Sequence, residues 1–163
     1  MRIGIGYDLH RMRDGIPLRI GAVAIPFPRG PEGHSDGDVL LHALADALLG
    51  AAGLGDIGDA FPDTDPATEG MDSRRIVEDT LRQVAERGFE VENVDAIVHA
   101  EAPRIKPYRE AIRSSIAGML GLDVERVGLK AKTGEGIGEV GRGEAIAAEV
   151  AVLLRETLRG DAS

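Results

Sequence analysis

The sequence predicts an α/β fold: a two-layer domain with a mixed β-sheet and helices on one face. Three observations carry this. Apolar residues recur at helical spacing in three segments, 38–52, 72–87 and 107–120, each followed by glycine. Alternating apolar runs at 94–100 and 127–133 are interleaved with them. The 163 residues, 43% hydrophobic and 29% charged, match the size and composition of one globular domain, 1–163, with a core of its own. Elements mixed in this order pack as a sheet layer against a helix layer.

Residues 2–7 alternate weakly and open a strand. Leu18 to Ile25 reads as a second, with Asp14-Gly15 as the turn of an N-terminal hairpin. The proline- and glycine-rich residues 26–37 read as a loop. Asp38 to Ala52 is a helix with Leu41, Leu44, Ala45, Leu48 and Leu49 as its apolar stripe; Ser35, Asp36 or Asp38 caps it, and Gly53 and Gly55 stop it. Residues 53–71, rich in Gly, Pro and Asp, form a long irregular stretch of the kind used for binding. Asp72 to Arg87 is amphipathic, with Ile76, Val77, Thr80, Leu81 and Val84 inward. Val94 to Ala100 places alternate residues on one face. Pro107 to Leu120 turns Tyr108, Ile112, Ile116 and Leu120 inward, and Val127 to Thr133 is a strand. The last segment fits two periods. Ile146, Val150, Leu153 and Leu154 suit a helix, whereas Ile146, Ala148, Val150, Val152 and Leu154 suit a strand; the alanines lean to helix.

Composition narrows the function. No apolar run approaches the roughly 20 residues of a membrane span. Gly4, Gly6 and Asp8 interrupt any signal-peptide pattern, so a cytoplasmic protein is expected. With no cysteine, any chemistry rests on Asp, Glu, His, Thr, Ser and Lys. A net charge of −9 argues against nucleic acid or an anionic membrane as partner. An anionic substrate would need local cations, and the only lysines are Lys106, Lys130 and Lys132.

The most informative residues close the first strand. Asp8 and His10 are two apart, so on a strand they share a face, and His42 lies on the next helix. One carboxylate and two imidazoles with a fourth position open is the pattern of a catalytic zinc site. Spacing alone also suits a turn aspartate and ordinary histidines. Asp38 and Asp46, each one turn from His42, are either orienting partners for an imidazole or solvated helix carboxylates.

Further strings sharpen the reading. Arg2-Ile3-Gly4-Ile5-Gly6-Tyr7-Asp8-Leu9-His10, His34-Ser35-Asp36-Gly37-Asp38, Gly55-Asp56-Ile57-Gly58 and Phe61-Pro62-Asp63-Thr64-Asp65 occur in that order. Ala100-Glu101-Ala102-Pro103-Arg104-Ile105-Lys106-Pro107, Lys130-Ala131-Lys132-Thr133-Gly134-Glu135 and Gly141-Arg142-Gly143-Glu144 follow. From Arg2 to about Leu158 the chain resembles the 2-C-methyl-D-erythritol 2,4-cyclodiphosphate synthase family. That resemblance implies a strand for the last segment, hence a mixed four-stranded sheet with a β-α-β-α-β-β core plus the N-terminal hairpin. It also implies a homotrimer with active sites between subunits.

The resemblance implies roles residue by residue. Asp8, His10 and His42 match ligands of a divalent metal, typically zinc, and Glu135 matches the carboxylate of a second ion, magnesium or manganese. His34 and Thr133 match transition-state stabilisers. Asp8, Leu9, His10, His34 and Ser35, then Asp56, Ile57, Gly58 and Phe61 to Asp65, match the wall around the methylerythritol and its phosphates. Ala100, Glu101, Ala102, Pro103, Arg104, Ile105 and Lys106 match the cytidine pocket, and Lys132, Thr133, Gly134, Glu135, Glu139 and Arg142 are the remaining substrate-binding candidates. The implied reaction is an intramolecular phosphoryl transfer in non-mevalonate isoprenoid precursor biosynthesis, turning 4-diphosphocytidyl-2-C-methyl-D-erythritol 2-phosphate into the cyclodiphosphate and CMP. A zinc-dependent phosphoester hydrolase and a non-enzymatic isoprenoid-diphosphate binder are the competing readings. Two positions depart from the family's usual residues: Lys132 where Thr is common, and Glu139, near Arg142, where Phe is common. The latter pair would line a cavity on the trimer axis, and an acidic Glu139 disfavours an apolar ligand there.

Overall fold

The computed structural model describes residues 1–33, 35–61 and 70–157. Strand β1 (Arg2–Asp14) is followed by three short strands, β2 (Leu18–Ile20), β3 (Val23–Ile25) and β4 (Arg29–Pro31). Helices α1 (Val39–Ala52), α2 (Ile57–Ala60) and α3 (Ser73–Glu86) come next, then β5 (Phe89–His99). A 3₁₀ turn leads into α4 (Arg109–Leu120), and β6 (Val127–Lys132), α5 (Gly138–Gly141) and β7 (Ala145–Glu156) complete the chain.

The main sheet has five strands in the order β4-β1-β7-β5-β6, one more than the sequence predicts. The addition is β4, a three-residue edge strand pairing with Met12 to Asp14. Only β5 and β6 run parallel. The expected hairpin is corrected: Leu18 to Ile25 is two strands paired with each other, and β1 pairs with β4 and β7. Gly21 and Ala22 form its two-residue turn with φ of +60° and +64°, the geometry that matches strand twist.

Strand β7 resolves the ambiguous segment. It lies between β1 and β5, bonded to both, with Ala148, Val150, Val152 and Leu154 buried and Glu149 and Ala151 exposed. Two ladders outweigh the helical preference of its alanines. The stretch 53–71 is less irregular than its composition suggests, because α2 forms within it.

The closest packing in the fold joins β1 to α1. A Cβ at Gly4 would lie 1.8 Å from the Ala47 carbonyl oxygen, and one at Gly6 1.9 Å from that of Ala43. Glycine on the strand and alanine on the helix therefore bring two backbones together. Leucines 40, 41, 44, 48 and 49 fill the other sides of α1, which also meets α3 and the β2–β3 hairpin and is buried almost all round. The helices cover the sheet face carrying Gly4, Gly6, Val94, Ala96, Val98, Val150 and Val152. On the opposite face Ile3, Ile5 and Tyr7 are 72%, 75% and 54% exposed.

Gly6→Ala should destabilise the protein by about 3 kcal/mol or more, the upper range of overpacking, since backbone atoms must move. Denaturant unfolding measures it; a change under about 1 kcal/mol would show that α1 has room to stand off the strand.

Candidate metal centre and nucleotide cleft

The site begins with the anchoring of α1. Asp38, fully buried, accepts hydrogen bonds from the amides of Gly21 (2.9 Å), Ala22 (2.7 Å) and Leu41 (3.2 Å). One carboxylate thus caps the helix and holds the hairpin turn, including the left-handed Ala22. Burial pushes the Asp38 carboxyl up, opposed by those three amides. With its N-terminus fixed and its body pressed on Gly4 and Gly6, α1 delivers His42 to the middle of β1, beside Asp8 and His10.

There the predicted cluster forms. The Nδ1 atoms of His10 and His42 each lie 3.0 Å from Asp8 Oδ2, and the ring centroids are 5.2 Å apart. One ligand atom from each of the three residues falls within 4.8 Å of the others. His10 Nδ1 is buried without a hydrogen-bond partner, so it points at Asp8 without a properly formed bond. Metal–ligand bonds of about 2.0–2.2 Å at tetrahedral angles separate ligand atoms by roughly 3.3 Å, close to the spacing found. The donor set fits a divalent ion with an open position. Burial works against ionisation of Asp8, yet the His10 and His42 imidazoles beside it hold its carboxyl at about 2. Gly33 passes so close that a Cβ there would sit 2.9 Å from the His10 ring.

Around this cluster lies a cavity of about 400 Å³ lined by Leu9, Ser35, Asp46, Ile57, Gly58 and Phe61 as well as the three ligands. Asp56 caps α2 through the Asp59 amide (2.9 Å), and Asp46 accepts from the Ile57 amide (2.8 Å). The sequence left open an orienting role for Asp38 or Asp46 at His42; the structure gives both carboxylates other partners. The groups on His42 Nε2 are Ser35 Oγ (2.8 Å) and Ser73 Oγ (3.0 Å). Ser73 was not foreseen, since in sequence it reads only as the start of a helix. His34 and the segment Pro62, Asp63, Thr64, Asp65 lie outside the described residues.

A second cleft, about 820 Å³, opens at β5 and β6, lined by Ala100, Glu101, Pro103, Arg104, Ile105, Lys106, Lys132, Thr133 and Glu135. The Ala102–Pro103 peptide is cis. Glu101 accepts from the Gly134 amide (3.0 Å), tying the 100–106 segment to the 133–135 loop. Thr133 Oγ1 donates to Glu135 Oε1 (3.0 Å), and Glu135 has φ +51°. Lys106 and Lys132 reach this cleft, whereas Lys130 pairs with Asp95 on the bare sheet face. Glu139 lines a small recess with Leu9, Arg11 and Glu144, and Arg142 pairs with Glu144 at 2.9 Å.

The register measures the gap between the two clefts. Asp8 is level with Ala148, Ala148 with Val98 and Val98 with Ala131. They share one end of the sheet but stand three strand spacings apart, about 14 Å.

This is a two-layer α/β protein with a carboxylate–bis-histidine cluster between a strand and a helix, and a second cleft three strands away. The chain belongs to the YgbB family, whose profile matches residues 1–155. A relative from Laribacter hongkongensis, 2-C-methyl-D-erythritol 2,4-cyclodiphosphate synthase, is 54% identical over 98% of this chain and 98% of its own. A solved 2C-methyl-D-erythritol-2,4-cyclodiphosphate synthase superposes with a TM-score of 0.88 at 42% identity, covering 94% of this chain and all (100%) of the other. A CDP-bound form of that synthase also gives 0.88, at 40% identity and the same coverage, 94% and 100%. No helix among the described residues is long and apolar enough to cross a membrane.

Asp46→Ala should strand the Ile57 amide at a cost of about 1–2 kcal/mol, localised to α2. Amide exchange should accelerate roughly tenfold or more at Ile57 and its neighbours while α1 keeps its protection. Uniform acceleration would show that Asp46 serves the whole fold instead.

Proposed function

We propose that this chain is a cyclodiphosphate synthase acting on 4-diphosphocytidyl-2-C-methyl-D-erythritol 2-phosphate. An oxygen of the 2-phosphate attacks the β-phosphorus, the bond from that phosphorus to the bridging oxygen breaks, and CMP leaves carrying that oxygen. The product is 2-C-methyl-D-erythritol 2,4-cyclodiphosphate. The observation that carries this reading is the Asp8/His10/His42 cluster, assembled with an open side in a chain of this family.

An internal phosphate nucleophile needs no strong base, so the protein's work is positioning and charge stabilisation. Asp8, His10 and His42 would hold zinc and Glu135 a magnesium or manganese ion; when bound, these supply Lewis-acid neutralisation of the phosphate oxygens. Asp56, Ile57 and Gly58, with Phe61 to Asp65, seat the methylerythritol, and Ser35 faces its phosphates. The cytidine sits against 100–106, where Lys106 and Lys132 offset the negative charge of the chain. His34 and Thr133 donate to phosphate oxygens as charge shifts between them.

Incubation with the diphosphocytidyl substrate, followed by phosphorus NMR, should show the cyclic diphosphate and CMP. Linear phosphates would favour a hydrolase, and no turnover a binding protein. His42→Ala should lose its metal by elemental analysis and at least about 100-fold of its turnover. Full metal content in that variant would overturn the ligand assignment.

The assembly proposed is a homotrimer with the site shared between neighbours. Within one chain the strands that carry the two clefts stand about 14 Å apart, so the Asp8/His10/His42 cluster of one copy and Glu135 of a neighbour are the halves that one diphosphate would bridge. The exposed Ile3, Ile5, Tyr7 and Leu9 supply an apolar face for the contact. Ile5→Glu should yield monomers by light scattering and cost about 100-fold or more in turnover. An active monomer would contradict the shared site.

A further inference from the structure

Strands β5 and β6 pair in parallel as far as His99 and Lys132, and the Ala100 amide donates to the Lys132 carbonyl at 2.9 Å. Beyond that bond the two chains part. One turns through the cis Ala102–Pro103 peptide into 100–106, the other enters the 133–138 loop, and both contribute to the wall of the cleft of about 820 Å³. A side chain makes the next bond in the series: half-buried Glu101 accepts from the Gly134 amide at 3.0 Å. Among the described residues, no other hydrogen bond joins 101–106 to 133–138. The loop held in this way has an unfavourable backbone. Glu135 has φ +51°, a left-handed conformation that a Cβ disfavours, and Gly136 follows at +75°. Gly134 itself is pressed on α5, where a Cβ would lie 2.5 Å from the Gly141 amide nitrogen.

We infer that Glu101 is a positioning residue, whose acceptor oxygen fixes the Thr133–Glu135 loop against the 100–106 segment so that one nucleotide diphosphate can meet both. The inference rests on the nucleotide reading of this cleft. The charge of Glu101 argues for such a role. A carboxylate opposes a bound diphosphate, and an amide partner leaves its charge in place. What Glu101 contributes is therefore the acceptor oxygen. It acts through Gly134 on Thr133 and Glu135, whose side chains bond to each other across that glycine (3.0 Å), and need not touch the ligand itself. A loop held in place beforehand loses less freedom when the ligand binds. The base, seated against 100–106, does not depend on the tie. The phosphates, facing Thr133 to Glu135, do.

The tie and its consequence are tested separately. Amide exchange on the ligand-free protein should find Gly134 protected in the parent and in Glu101→Gln, which keeps the acceptor oxygen and drops the charge. In Glu101→Ala the same amide should exchange about tenfold faster or more, with Leu129 and Ala131 on β6 unchanged. Calorimetry in magnesium buffer then compares cytidine with cytidine diphosphate. Cytidine should bind all three proteins within about twofold. Cytidine diphosphate should bind Glu101→Ala about tenfold or more weakly, the effect of losing one hydrogen bond to a charged acceptor, and Glu101→Gln as tightly as the parent or tighter. Were Glu101 only a charge in the cleft, Ala and Gln would behave alike and both would bind the diphosphate more tightly; that result overturns the inference. So does an Ala variant that loses cytidine and the diphosphate equally, or one that leaves Gly134 exchange unchanged. A parent with protected Gly134 that binds neither ligand would overturn the nucleotide reading, and the assigned role with it.

Discussion

The architecture depends on one steric constraint, the absence of side chains at Gly4 and Gly6. With any Cβ there, α1 would have to rise off the sheet, because the Ala43 and Ala47 carbonyl oxygens occupy that space. The helix would carry His42 with it, away from Asp8 and His10. Packing and chemistry are therefore one design. The strand residues that let the helix approach are separated from the ligands by one pleat, so a local change in helix height reads out directly at the cluster.

Charge is organised on the same principle of locality. The chain carries −9 overall, which repels a diphosphate at long range. That field is screened beyond about 8–10 Å at physiological salt, so the nearest groups decide binding. Lys106 and Lys132 stand at the cleft by β5 and β6, and a bound divalent ion would be the largest charge at the other. Several acidic residues serve structure: Asp38 ties three amides, Asp46 and Asp56 order α2, and Asp36 aligns Ser73. A backbone amide offers a carboxylate a strong partner without neutralising it.

Much of this was legible in sequence, and the failures are instructive. Asp8 and His10 share a face because strands have period two, and His42 follows from the helix signal beginning at Asp38. The helix–sheet contact was missed because Ala43, Ala47 and Ala51 contribute little to an apolar stripe defined by leucines, although small size is their function. Leu18 to Ile25 was read as one strand because Gly21 and Ala22 look like part of the run, and only Asp38, sixteen residues on, makes the turn there favourable. Strand β7 was undecidable from periodicity, since its conformation is set by two neighbours distant in the chain. The partners of His42 Nε2, Ser35 in a loop and Ser73 at the start of α3, lie 38 residues apart, beyond the reach of any local pattern.

The arrangement of the two clefts bears on the symmetry of the proposed assembly. On the proposed reading each chain contributes two different half-sites, the Asp8/His10/His42 cluster on β1 and the cleft by β6. In that assembly the first half of one copy would meet the second half of another. Such a contact is heterologous, joining unlike surfaces, and a two-fold axis, which pairs each surface with itself, cannot produce it as the primary interface. Repetition of an unlike contact either closes into a ring or grows without limit. The bare sheet face decides between these, because Ile3, Ile5 and Tyr7 lie on β1, to one side of the sheet, and copies that turn this face toward a common axis bury it and stop. A small closed ring is therefore the form the proposed assembly would take, and the homotrimer is the ring that the family resemblance implies.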